Sequence, residues 1–275
     1  MKQGKNGFVH KHSLGQNFLT DEGLLEQLAD LSGVGAQDAV LEIGAGDGAM
    51  TKVLARRCRK VLSIEIDGAL MPILRVAMIH YPNVQLVHGD VMRLNLPELT
   101  REMGAFHVVA NIPYYITTDL MNLLLSSGMP ILSINLMVQK EAADRIVARP
   151  GEAGYGMLAV KSQYDYDPAI ALDVPACMFT PPPKVDSAFV TMPRRKEPKV
   201  RVDDEALFFR IAAAAFAMRR KTMANNLIAS FRMPREAVDG WMGSCGIDGS
   251  ARGENLSMDD FAALANAFPG ARADS

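Results

Sequence analysis

Short, β-branched apolar runs recur along the first half of the chain: AVLEIG (39–44), KVLSIEI (60–66), NVQLVHGD (83–90), FHVVANI (106–112) and ILSINLMVQ (131–139). Several are apolar at nearly every position, the mark of strands covered on both faces of a parallel sheet. Between them, DGAMTKVLARRC and LMPILRVAMIH carry apolar residues at helical spacing. This alternation predicts βαβ units and a doubly wound α/β layer structure.

The pattern changes after two proline-rich stretches, FTPPPKVDS and PRRKEPKVRV, the second of which reads as a linker. From Asp203 onward, DDEALFFRIAAAAFAMRRKTMANNLIASF places Leu207, Ile211, Ala214 and Met218 at steps of three and four, predicting one long helix, and shorter helices follow. Two domains are expected: an α/β domain over 1–199 and a small all-α domain over 200–275.

Composition narrows the setting. A length of 275 residues with 49% hydrophobic content is ample for a conventional core. The three cysteines, Cys58, Cys177 and Cys245, are odd in number and far apart, against a disulfide framework or a cysteine metal site, so no metal is expected. The basic N-terminus lacks an apolar core segment, and no stretch approaches the roughly 18 apolar residues of a membrane span. A cytoplasmic protein with no membrane partner, and a monomer, is expected. The net charge of -2 does not announce a polyanion partner, but its distribution does: residues 194–235 hold eleven Lys/Arg against four Asp/Glu, and RRK occurs twice, at 194–196 and 219–221. Arg219, Arg220 and Lys221 are the candidate phosphate contacts.

In LEIGAGDGAMT, a strand delivers Gly44, Gly46 and Gly48 into a tight turn that opens a helix, where backbone can approach a ligand and helix N–H groups can face it. The next strand ends in Glu65, nineteen residues after Gly46, a place from which a carboxylate can grip both hydroxyls of a ribose. An adenosine-containing ligand is implied. A nicotinamide dinucleotide remains an alternative, although Ala49 stands where that fingerprint ends in glycine. Asp90, after the third strand, can accept from an adenine amine or simply form a turn after Gly89. Asn111 closes the fourth strand, where its amide can accept from a substrate amine, and Tyr114 offers a stacking face three residues on. An amine held by acceptors beside an aromatic ring is how a flipped adenine is recognised.

GQNFL, EIGAGDG, IEID, HGD, NIPYYIT, VQKEAADRI, YGMLAV, FTPPPKVDSAF and AFAMRRKTMANNL, in this order from about residue 10 to 260, resemble the KsgA/Dim1-type ribosomal RNA adenine N6,N6-dimethyltransferases. The resemblance implies a Rossmann-like methyltransferase domain that binds S-adenosyl-L-methionine, followed by an RNA-binding helical domain. It places Asn17 and Leu19 at the lid of the cofactor, Gly44 under its methionine part, Glu65 on the ribose, Asp90 on the adenine, and Asn111 between cofactor and target amine, with Gly46 also among the cofactor-binding residues. Phe179 would sandwich the target adenine with Tyr114. Its implied partner is small-subunit (16S) ribosomal RNA, or the assembling 30S particle. The alternatives are the related large-subunit RNA dimethyltransferases of the macrolide-resistance type and a non-catalytic assembly or transcription factor on the same fold. Ala45 stands where the family has proline, Asp47 adds an acid to the glycine loop, and Asp119 stands where proline is usual.

Overall fold

The computed structural model describes residues 17–111 and 113–272, leaving the side chains of 271 and 272 aside. The strands are β1 (Phe18–Leu19), β2 (Ala39–Ile43), β3 (Lys60–Glu65), β4 (Val84–His88), β5 (Phe106–Asn111), β6 (Ile131–Gln139), β7 (Ala169–Val174), β8 (Phe179–Thr180) and β9 (Ser187–Pro193). The helices that matter here are α1 (Glu22–Leu31), α2 (Ala49–Arg57), α3 (Met71–Ala77), α4 (Leu96–Thr100), α5 (Thr117–Leu125), α6 (Lys140–Val147), α7 (Met157–Asp165), α8 (Glu205–Ala217), α9 (Met223–Phe231), α10 (Arg235–Ser244) and α11 (Met258–Asn266). The five strands expected from the apolar runs are β2 to β6, and they pair in parallel. β9 and β7 extend the sheet antiparallel, giving the order β4-β3-β2-β5-β6-β9-β7. The α/β class is as expected.

Three features depart from the sequence expectation. The chain forms two compact units, one holding residues up to Ala143 with Asp167–Arg194, the other Asp144–Tyr166 with Arg195–Ser275, so residues 144–166 leave the α/β domain. The reason lies in the core of the second unit, where Tyr155, Ala159 and Tyr164 pack with Phe208, Ile211 and Trp241. Arg195 anchors the same unit, its backbone N–H donating to Asp165 O at 2.7 Å and its Nε to Tyr166 O at 3.0 Å. The antiparallel strands β7 and β9, hidden among proline-rich sequence, are the second departure. The third is the long helix, which breaks at residues 218–222 into α8 and α9. Thr222 starts the new helix by accepting from the Asn225 N–H, and the buried Asn226 donates its amide to Ala215 O and Met218 O, spending carbonyls that a continuing helix needs. The run Arg219-Arg220-Lys221-Thr222 carries no apolar residue, so the helical spacing lapses after Met218 and resumes at Met223.

Within the first unit, the strands run β2, β3, β4 to one side before β5 returns to the other side of β2, leaving a crevice at their carboxyl ends. Helix α1 walls it. Arg56 of α2 pairs with Glu26 of α1 at 2.6 Å, and Arg57 pairs with Glu26 and Asp30, holding the two helices side by side. Among the described residues no helix is long and apolar enough to cross a membrane.

Candidate functional site

The crevice opens as a cavity lined by Leu19 on one rim, Gly44 and Gly46 of the loop after β2, and Asn111 at the end of β5, with Leu25, Leu28, Met137 and Phe189 as its apolar wall. Four of the expected cofactor residues therefore meet in one place. Gly46 sits at φ +60°, and a Cβ there would lie 2.9 Å from the ring of Phe18, so glycine is required both by conformation and by space. The loop's amides are spent internally, contrary to the expectation of free donors facing a ligand. Gly44 and Ala45 N–H both donate to Ile64 O, and Gly48 N–H donates to Ala45 O. The loop thus offers close approach rather than donors, and Asp47 Oδ1 accepts from Ala49 N–H at 3.2 Å just before α2.

Glu65, buried at the tip of β3, accepts from Gly46 N–H through Oε2 and from Asp67 N–H through Oε1, each at 2.8 Å. It is the strut that fixes the glycine loop. Each oxygen retains a second lone-pair site, the acceptor capacity a pair of hydroxyls needs. Burial raises its pKa, against the lowering effect of the two backbone bonds. Asp90 follows β4 and shapes a turn: Oδ1 accepts from Met92 N–H at 3.0 Å, and Oδ2 lies 3.4 Å from Arg93 Nε. The turn role weighed in the sequence is realised, and its carboxylate lies outside the lining of the cavity.

Phe18 and Glu42 line the cavity as well, and neither was singled out in the sequence. Phe18, between the two expected lid residues, covers Gly46. Glu42 lies in β2, whose five residues are all buried, and is itself 2% exposed. Thr51 donates to its Oε2 at 2.6 Å and Ser63 donates to the same oxygen, while Oε1 is buried with no partner. Burial pushes its pKa up to about 7, with the hydrogen bonds from Ser63 and Thr51 opposing. A lone carboxyl in an otherwise apolar strand is the sequence signal that marks it. A buried acceptor left unpaired on a cavity wall is costly unless something else fills it.

Asn111 donates its Nδ2 to the carbonyl of Asn17 at 3.3 Å. The amide's donor is thereby committed to the lid and its oxygen is turned to the acceptor role. Ile112, the next residue, lies outside the described residues. Tyr114 begins a single 3-10 turn after Pro113 and is half-buried, its hydroxyl 2.7 Å from the Ser187 hydroxyl. Burial raises its pKa. Phe179 is only 2% exposed, packed with Leu19, Leu28 and Met137, and β8 pairs antiparallel with β1 through Leu19 and Phe179. In this conformation its ring offers no face to a base. A sandwich with Tyr114 would need the ring to turn out of that core.

In the second unit, Arg219, Arg220 and Lys221 are exposed on the turn between α8 and α9 rather than along a helix face.

Comparison with known proteins agrees with this geometry. The family described as "Ribosomal RNA adenine dimethylase" matches residues 7–269. A protein named "Ribosomal RNA small subunit methyltransferase A" from Shouchella clausii (strain KSM-K16) is 43% identical over 270 residues, covering 96% of this chain and 91% of its own. A protein of the same name from Enterococcus faecalis (strain ATCC 700802 / V583) is 42% identical over 272 residues, covering 96% and 92%. Among solved structures, the 23S rRNA methyltransferase ErmE superposes with a TM-score of 0.73 at 27% identity, over 91% of this chain and 99% of that one. A dimethyladenosine transferase from Plasmodium falciparum shares the fold, with a TM-score of 0.75 at 24% identity over 90% and 95%. The chain belongs to the ribosomal RNA adenine dimethylase family, S-adenosyl-L-methionine-dependent methyltransferases on a Rossmann-like α/β fold.

Proposed function

We propose that this chain dimethylates N6 of two adjacent adenines near the 3′ end of 16S ribosomal RNA during small-subunit assembly in the cytoplasm, acting as a monomer. The observation that carries the choice of small over large subunit is the 43% identity along 96% of the chain to a protein named for the small subunit, against 27% to the 23S rRNA enzyme.

The residues fit S-adenosyl-L-methionine. The unpaired Oε1 of Glu42 is an acceptor for the ammonium of its methionine end, Gly46 leaves room where any side chain would intrude, and Glu65 keeps acceptor capacity for the ribose hydroxyls. Ile66, apolar and 45% exposed beside Glu65, gives adenine a face, with Asp90 as the acceptor for its amine. When bound, the cofactor supplies an electrophilic methyl on a sulfonium.

What remains is to make a poor nucleophile attack. The lone pair of adenine N6 is delocalised into the ring, so the chain must favour a pyramidal nitrogen aimed at the methyl. Asn111 Oδ1 accepts from the amine, and its orientation is set by the bond from Nδ2 to Asn17 O. Tyr114 stacks on the base and offsets part of the few kcal/mol that flipping costs. No strong base is needed, because the attacked amine becomes cationic and then sheds its proton. Arg219, Arg220 and Lys221 hold phosphates of the RNA. Mapping methyl groups on ribosomal RNA from cells with and without the gene tests the proposal: two adjacent dimethyladenines are lost from 16S RNA while 23S RNA is unchanged. Loss from 23S RNA instead would overturn it.

A further inference from the structure

Ser187 is fully buried at the first position of β9, paired in the sheet on both sides, opposite Gln139 of β6 and Val174 of β7. Its hydroxyl lies 2.7 Å from that of Tyr114. Tyr114 itself rides on a single 3-10 turn, Tyr114–Ile116, that leads directly into α5. The far end of the ring is therefore held by one of the most constrained positions in the sheet.

We propose that Ser187 is a positioning residue for methyl transfer: its hydrogen bond to the Tyr114 hydroxyl fixes the long axis of the ring on which the target adenine stacks. This rests on the reading of Tyr114 as the stacking ring. With the ring anchored at Cβ by the chain and at its hydroxyl by Ser187, a swing of the ring about Cα–Cβ must break the hydrogen bond, so an entering base meets a ring held in place. The tether matters most in the second transfer. After the first, N6 keeps a single N–H, so the acceptors at Asn111 grip the base less and its orientation depends more on the stack.

The test uses the full-length protein on small ribosomal subunits from cells lacking the gene, with mass spectrometry of mono- and dimethyladenine. Ser187→Ala, Tyr114→Phe and the double variant are each expected to slow the second transfer by about tenfold, with monomethyladenine accumulating and cofactor affinity unchanged. The losses should not add, since each variant removes the same hydrogen bond. Stability separates positioning from packing. Each single variant strands a buried hydroxyl and lowers the melting temperature, whereas the double removes both polar atoms and recovers it. If the double variant recovers the wild-type rate and product ratio along with its stability, Ser187 is structural only and the proposal is overturned. Tyr114→Ala tests the reading beneath. Full activity there means Tyr114 is no stacking ring, while an inactive Tyr114→Ala beside a fully active double variant removes only the tether.

Discussion

The cofactor crevice and the basic turn of the helical unit build recognition in opposite ways. In the crevice the polar groups are buried or half-buried and mostly committed to the fold: Glu65 braces the Gly46 amide, Asn111 donates to Asn17 O, and Glu42 Oε1 is buried without a partner among the described residues. On the turn the three cations are exposed, and their place is set from beneath by Asn226, whose amide holds Ala215 O and Met218 O. A water-poor rim depends on a few fixed acceptors, each of which matters at the scale of a transition-state contact. A charged turn works by summed attraction to phosphates, tolerant in position and sensitive to salt. Substitutions in the two regions should therefore fail in different assays.

The largest effect is expected at Asn111. Asn111→Ala removes the acceptor proposed for the target amine and should lower turnover by about 10² to 10³, as for other single positioned donors or acceptors. Folding should survive, because the side chain's observed bond is one 3.3 Å contact to the lid. Single-turnover methyl transfer and melting temperature measured together decide it: a destabilised protein with normal turnover per folded molecule would reduce Asn111 to a turn residue.

Next comes Glu65. Glu65→Ala should weaken S-adenosyl-L-methionine binding by about 1.5 to 3 kcal/mol while RNA affinity is kept. It should also lower the melting temperature, because the Gly46 and Asp67 N–H groups lose their acceptor. Calorimetric titration showing wild-type cofactor affinity would confine Glu65 to its structural bonds and erase the contrast with the turn.

The positions of these two residues were legible in the sequence for the same reason that β2 to β6 were: both sit at the tip of a strand whose apolar run predicts its end. Where periodicity carries no such landmark, the reading falters. Ser187 lies beside a proline-rich stretch whose strand β9 is masked by its neighbours, so its meeting with Tyr114, 73 residues earlier, exists only in the folded sheet. The break between α8 and α9 is marked in sequence only by the polar run from Arg219 to Thr222, which reads as a charged helix face until the side chain of Asn226 shows why the chain turns. Phe179 shows the reverse: its motif is plain in sequence, yet the pairing of Leu19 with Phe179 buries the ring.

The turn is tested by replacing Arg219, Arg220 and Lys221 together with Ala. RNA binding should weaken, and the slope of log affinity against log salt should shrink by up to about 0.7 to 0.9 for each phosphate that is no longer neutralised, with cofactor affinity untouched. An unaltered slope would make these cations an ordinary solvated turn.

The smallest effect sharpens the comparison from the buried side, through the pH dependence of Glu42. Burial holds its carboxyl proton until about pH 7 in the folded protein, whereas an exposed glutamate releases it near about 4.3. Between those values the folded chain binds a proton that the unfolded chain has lost. The contribution of Glu42 to stability is therefore full below the lower value and declines as pH rises to about 7. A cationic ligand at Oε1 favours the ionised form, so below pH 7 binding expels the proton and cofactor affinity should rise by a few-fold from pH 6 to pH 7. Glu42→Gln keeps the neutral shape and cannot titrate. It should bind the cofactor more weakly, with an affinity flat across that interval and no proton released in calorimetry performed in buffers of different ionisation enthalpy. Equal proton release by the Gln variant would assign the titration to another group and leave the orphaned oxygen of Glu42 without a ligand.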